Sequence, residues 1–158
     1  MLYVCDANGV YSVADPNFII NEAKRHIGVK MKRGVALTSP NAVRDYLQVQ
    51  FSECEHEVFS CLFLDNQHRI IELVELFRGT IDGASVYPRE VVKGGLERNA
   101  AAVIFTHNHP SGIADPSTAD KSITQKLKDA LGTVDIRVLD HFVVGSEGTY
   151  SFAEHGLL

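Results

Sequence analysis

Sixteen residues, Phe105 to Asp120, read FTHNHPSGIADPSTAD and begin on the last residue of the apolar run AAVIF. If that run is a strand, His107 and His109 project from the same side, with alpha carbons roughly 6.6 Å apart. Two imidazoles so placed can bracket one ion at about 2.0–2.1 Å from each nitrogen. Asn108, between them, points the other way. A helix opening at Ser117 would carry Asp120 in its first turn, and the intervening Pro/Gly turn is long enough to bring it back to the strand end. His107, His109 and Asp120 could then share one ion. Three protein ligands leave a position for water, the arrangement of a catalytic zinc site, where the pKa of that water falls to about 7. The same residues also have a plainer reading. A histidine pair at a strand end is often only surface. Ser117-x-x-Asp120 is a capping box, favourable by about 0.3–1 kcal/mol with no metal at all. The pieces gain weight from occurring together in strand–turn–helix order.

The elements that must position these residues can be read along the chain. LYVCDANGVYSV alternates around Asn8-Gly9, which predicts a tight hairpin. Asp15-Pro16 predicts a helix reaching His26 or beyond, and Ser39-Pro40 opens a second helix by the same capping logic. The polar SECEHE marks a boundary, so residues 1–52 read as an N-terminal hairpin and helical extension and 53–158 as the main domain. There, EVFSCLFLD and RIIELVELFRG predict two strands about a short turn. TIDGAS reads as a loop. Pro88 starts a helix across Gly94-Gly95, AAVIFTH is a central strand, and STADKSITQKLKDALG is a helix with Ser117 as cap and Gly132 as stop. TVDIRVLDHFVVG and a short strand after it complete the sheet. The fold class expected is α/β (α+β), a mixed β-sheet layered by helices.

Composition limits the function classes. The 158 residues are 45% hydrophobic and 22% charged, as in ordinary globular proteins, and the net charge of −5 argues against a general nucleic-acid coat protein. Lys24 to Arg33 holds five Lys/Arg and no acid, either a solvated helix face or a phosphate-contacting patch. Three cysteines, Cys5, Cys54 and Cys61, without a CxxC, fit a reducing cytoplasm, and none lies near the histidines to make a thiolate site. No stretch resembles a signal peptide or a membrane span.

His107-Asn108-His109-Pro110, with Ser117 and Asp120 at their spacing, resembles the JAMM motif of the MPN metalloproteases. FRGTIDGASVYPREVV, HNHPSG, DIRVLDHFVVG and SFAEHGLL are similar to the RadC family of bacterial MPN proteins, from about Ser39 onward. The resemblance implies an MPN/JAMM (cytidine-deaminase-like) fold and one zinc ion held by His107, His109 and Asp120. It also implies Ser117 hydrogen-bonded to the substrate carbonyl oxygen and Glu57 as general base, with Glu55 and Glu53 as alternatives. The reaction implied is metal-dependent cleavage of a peptide or isopeptide bond in a peptide or protein substrate. Two departures stand out. JAMM proteases usually carry Ser or Thr where this chain has Asn108. The helix-hairpin-helix region usual in RadC proteins is not recognisable here, which weakens DNA binding by that route.

HNH nucleases draw their letters from separated positions. Zinc deaminases need H-x-E with P-C-x-x-C, and HExxH proteases carry both histidines on a helix. None of these patterns is present. A DNA-repair-associated accessory protein, binding DNA or a DNA-processing partner, and a non-catalytic MPN scaffold are the alternatives to a hydrolase. Asp140-His141 is a remaining pair on opposite faces of one strand. Asp140 is read either as the acceptor for a ligand histidine's free N–H or, preferentially, as a buried structural acid.

Overall fold

The structure is a computed structural model and describes residues 1–30, 33–37, 39–79 and 86–158. Two short antiparallel strands come first, β1 (Tyr3–Cys5) and β2 (Tyr11–Val13). Asp6 Oδ1 accepts from the Asn8 and Val10 N–H groups at 2.9 Å, and Gly9 takes φ +82°, so the expected Asn-Gly turn forms. Both strands are exposed along their whole length. Helix α1 (Pro16–Lys30) is capped as expected, with Asp15 Oδ1 accepting from Phe18 N at 3.1 Å. Helix α2 (Pro40–Phe51) begins differently. Ser39 is at the N-cap, but its hydroxyl makes no capping hydrogen bond; the preset φ of Pro40 starts the helix instead.

The remaining elements are β3 (Val58–Leu64), β4 (Ile70–Arg78), α3 (Pro88–Glu97), β5 (Ala102–Asn108), α4 (Thr118–Gly132), β6 (Arg137–Gly145) and β7 (Gly148–Ser151). Their strands form one mixed sheet in the order β4-β3-β5-β6-β7. Only β5–β6 is parallel, and α4 is the crossover that a parallel pair requires. Strands β3 and β5 are buried at every position, which is why their sequences are nearly continuous apolar runs.

Each face of the sheet has its own core. On one, Val43, Leu47 and Phe51 of α2 pack on Leu62, Ile104 and Phe142. On the other, Val91 of α3 and Leu127 and Leu131 of α4 pack on Phe63, Val103 and Phe105. Helix α2 precedes the boundary expected at 52, yet its apolar stripe lies in the same core as β3, β5 and β6. Gly94 and Gly95 lower helix propensity but serve packing. A Cβ on Gly95 would meet Ile136 Cδ1 at 2.7 Å, and one on Gly94 would meet Phe63 Cζ at 3.2 Å. Residues 80–85 of the expected TIDGAS loop lie outside the described residues. All three cysteines are free, and Cys61 is buried in the core. Among the described residues, no helix is long and apolar enough to cross a membrane.

Candidate metal centre

The odd-numbered residues of β5 face α3 and α4: Val103 and Phe105 lie in that core, and His107 is the next step on the same face. The β3–β5 register pairs Phe59 with His107, which brings Glu57, just ahead of β3, beside His109. His109 extends the ladder one residue past β5 by donating its N–H to Val144 O at 2.8 Å. The chain then turns. Gly112, at φ +94°, donates to His109 O at 3.0 Å. The turn lies so close to the β6–β7 connection that a Cβ on Gly145 would stand 2.2 Å from Gly112 O. At the far end Ser117 caps α4 with both halves of the capping box formed, and Asp120 is thereby held against the strand end.

Glu57, His107, His109 and Asp120 converge, with one ligand atom from each lying within 4.8 Å of the others. His107 Nε2 is 3.0 Å from His109 Nε2 and 3.3 Å from Asp120 Oδ1, while His109 Nε2 is 3.5 Å from Asp120 Oδ2. Ligands about 2.0–2.1 Å from a tetrahedral ion such as zinc are about 3.3–3.4 Å from each other, so the spacing fits one divalent ion. Asp120 Oδ2 accepts from Ser117 N at 2.7 Å and Ser117 Oγ at 2.8 Å, which leaves Oδ1 open for an ion. Glu57 Oε1 stands back at 4.0 Å from His109 Nε2, a separation that suits action through a water. The N–H on His109 Nδ1 donates to Ile113 O at 2.9 Å. Because a carbonyl can only accept, the ring keeps a proton on Nδ1, and in the neutral ring the lone pair of Nε2 faces the cluster. The donor set is two imidazole nitrogens and one carboxylate, chemistry suited to a divalent transition metal such as zinc.

The electrostatics follow from burial and proximity. Burial opposes ionisation of Asp120 most strongly, but the two histidines and the Ser117 N–H together outweigh it and hold the carboxyl well below its usual range. His109 is shifted up by its hydrogen bond to Asp120, against the effect of its partial burial, with Ile113 O and the Glu57 charge adding to the rise. Full burial pushes His141 well below the ordinary histidine range, and the nearby His107 adds to that shift.

Of the acids weighed for the base, Glu57 reaches the cluster; Glu53 instead accepts from Lys24 Nζ at 2.7 Å, and Glu55 is exposed. Ser117 Oγ accepts from Asp120 N at 3.1 Å as it donates to Asp120 Oδ2, so it caps the helix and orients the carboxylate together. Asn108 points away from the histidines. Its Oδ1 accepts from Val58 N at 2.8 Å and its Nδ2 donates to His56 O at 3.0 Å, clamping the backbone on both sides of Glu57. The partner of His107 Nδ1 is His141 Nε2 at 2.8 Å, not Asp140. Asp140 faces the opposite core, where it accepts from Ser151 Oγ at 2.6 Å, His141 N at 2.7 Å and Ala153 N at 3.0 Å. His141 Nδ1 lies 2.6 Å from Thr124 Oγ1, a residue that sequence reasoning passed over. Of the basic stretch, Lys24 and Arg25 are paired with Glu53 and Glu22; Lys32 and the side chain of Lys30 lie outside the described residues. Beside His109 opens a cavity of about 280 Å³, lined among others by Phe51, Cys54, Pro110, Val144, Gln48 and Ser146.

Sheet order, crossover helix and an acid-and-histidine cluster at the strand ends fit a JAB/MPN-class domain, the class that a family model gives this chain. A family model, the RadC-like JAB domain, matches residues 37–157. The chain is 61% identical over 135 residues to a UPF0758 protein of Nitrosococcus oceani, covering 85% of this chain and 60% of that protein. It is 61% identical over 140 residues to one from Cellvibrio japonicus (89% and 62%) and 53% over 156 residues to one from Aeromonas hydrophila (98% and 70%). The chain therefore belongs to the RadC family of JAB-domain proteins. It spans about 60% of the length of curated relatives such as those of Nitrosococcus oceani and Cellvibrio japonicus.

Proposed function

We propose that this chain is a zinc-dependent metallohydrolase of the JAMM type, which cleaves a peptide or isopeptide bond of a peptide or protein substrate with an activated water. The observation that carries the reading is the convergence of His107, His109 and Asp120 at 3.0–3.5 Å, with Glu57 set back at 4.0 Å on the open side. Zinc, when bound, would act as a Lewis acid on the scissile carbonyl and lower the pKa of a water to about 7. Glu57 takes the proton from the attacking water and returns it to the leaving amine. Ser117, on the exposed side, turns its hydroxyl proton from Asp120 Oδ2 to the substrate carbonyl oxygen while still capping α4. Among the described residues, no Asp, Glu, Lys or Arg lines the cavity beside His109, which favours an uncharged side chain next to the scissile bond.

The test separates binding from turnover. Metal-stripped protein should take up one zinc ion per chain in a calorimetric titration, and His109→Ala should take up none. Glu57→Gln should bind zinc like the wild type yet lose at least about 10²-fold in cleavage of a quenched peptide library, the scale of a lost general base. A wild type that takes up no zinc, or a Glu57→Gln protein with undiminished cleavage, defeats the proposal.

A further inference from the structure

His107 contacts the cluster through Nε2 and the protein interior through Nδ1. The interior contacts form a chain. His107 Nδ1 lies 2.8 Å from His141 Nε2, His141 Nδ1 lies 2.6 Å from Thr124 Oγ1, and Thr124 Oγ1 lies 2.6 Å from Asp120 O. His107 and His141 are fully buried and Thr124 is 1% exposed, so no solvent can substitute for a missing partner.

The direction of the protons along this chain follows from its last member. A backbone carbonyl can only accept, so the single Thr124 hydroxyl proton goes to Asp120 O. Thr124 Oγ1 must then accept from His141, which puts the His141 proton on Nδ1 and leaves its Nε2 bare. That bare nitrogen accepts from His107 Nδ1–H. His107 therefore has no proton on Nε2, and its lone pair faces His109 and Asp120. The reverse order would set the Thr124 oxygen against the Asp120 carbonyl with no hydrogen between them at 2.6 Å, and would put a proton where an ion must sit. A mixed order would leave a buried polar atom unpaired, at about 1–3 kcal/mol.

We infer that His141 and Thr124 are positioning residues of the metal centre: a one-way hydrogen-bond chain, His107 to His141 to Thr124 to the Asp120 carbonyl, locks His107 in the tautomer that can ligate an ion. The chain closes on the residue that also supplies the carboxylate, so one helical turn of α4, Asp120 to Thr124, sets both the acid and the imidazole. His107 is backed by a neutral ring, not by the carboxylate that often backs a ligand histidine, so the buried wall carries no second negative charge. This role rests on the metal reading for its purpose but not for its geometry.

Two measurements test it. Long-range proton–nitrogen correlation spectra of the metal-free wild type should show His141 as a single species protonated on Nδ1. A His141 protonated on Nε2 overturns the inference, with no variant needed. In Thr124→Val, which keeps the shape and removes the hydroxyl, His141 should lose that single tautomer and zinc affinity should fall about 10–100-fold. Thr124→Ser should restore both. A Thr124→Val protein that binds zinc as tightly as the wild type, with folding verified by its spectrum, also overturns it. If the wild type shows the expected tautomer but binds no zinc, the metal reading fails and the hydrogen-bond chain stands.

Discussion

His107 and Asp120 form the inner wall of the site, with side chains 0% and 1% exposed, whereas His109 and Glu57 form its rim at 17% and 16%. The wall is held by regular structure. His107 is inside a seven-residue buried strand, and Asp120 is the third residue of a helix with a complete capping box. The rim is held by individual contacts: the Ile113 carbonyl on His109, and the Asn108 amide that spans the backbone around Glu57. The difference teaches where damage should appear. A wall residue cannot be altered without disturbing the fold, while a rim residue can be altered with the fold intact.

Paired substitutions break or sharpen that contrast. The largest effect is expected for Asp120→Ala, which removes a proposed zinc ligand and the carboxylate half of the capping box together. It should abolish stoichiometric zinc uptake and lower stability by about 1–3 kcal/mol in thermal denaturation, the cost of unpaired buried groups. His109→Ala should abolish zinc uptake with much less loss of stability. Equal losses of stability in the two would erase the distinction between wall and rim.

Next is Gly145→Ala. The added methyl meets the Gly112 carbonyl at 2.2 Å, and because that contact is backbone, the turn carrying His109 must shift. A loss of about 1–3 kcal/mol is expected by denaturant titration, as for overpacking generally. Gly132→Ala, where nothing lies within 4 Å, serves as the neutral control.

Asn108→Ala should act on Glu57 alone. Zinc affinity by calorimetry should stay near the wild type, because the Asn108 amide bonds the backbone of His56 and Val58 and not His107, His109 or Asp120. The cleavage rate should fall, because the backbone on either side of Glu57 is released. Weakened zinc binding with unchanged cleavage would reverse that assignment.

The smallest effect is a pH dependence. The folded-state pKa of His109 is raised above its usual 6.5. Its contribution to the stability of the metal-free protein is therefore fully present below about 6.5 and lost as pH rises through the folded value. Zinc needs the ring neutral. The rise in Tm on adding zinc should accordingly grow from about pH 6 to about pH 8, as calorimetric scans at fixed zinc would show. A zinc-induced shift that shrinks over that window would contradict the sign.

Much of the site was legible in the sequence because its determinants are local. The two-residue repeat of a strand put His107 and His109 on one side and Asn108 on the other. The Ser117-x-x-Asp120 pattern signalled both the start of α4 and the inward acid. Asp15-Pro16, Asn8-Gly9 and Pro88 marked their elements for similarly short-range reasons. Less legible were features set by partners far along the chain. The apolar stripe of α2 could be read, but not the sheet face it would cover. The polar run before β3 hid the fact that Phe51 and Val58 share one core.

Alternation in β6 showed that Asp140 and His141 face opposite ways. Which of them meets His107 depends on the parallel register with β5, where Phe105 pairs with His141. Thr124 reads as an ordinary helical residue until α4 is laid across that strand. Periodicity and capping are written in residues a few positions apart, so the sequence by itself determined the ligand spacing and the helix that returns the acid. Strand pairing joins residues separated by dozens of positions. Only the tertiary structure could therefore decide which histidine backs His107, and which acid stands at the rim.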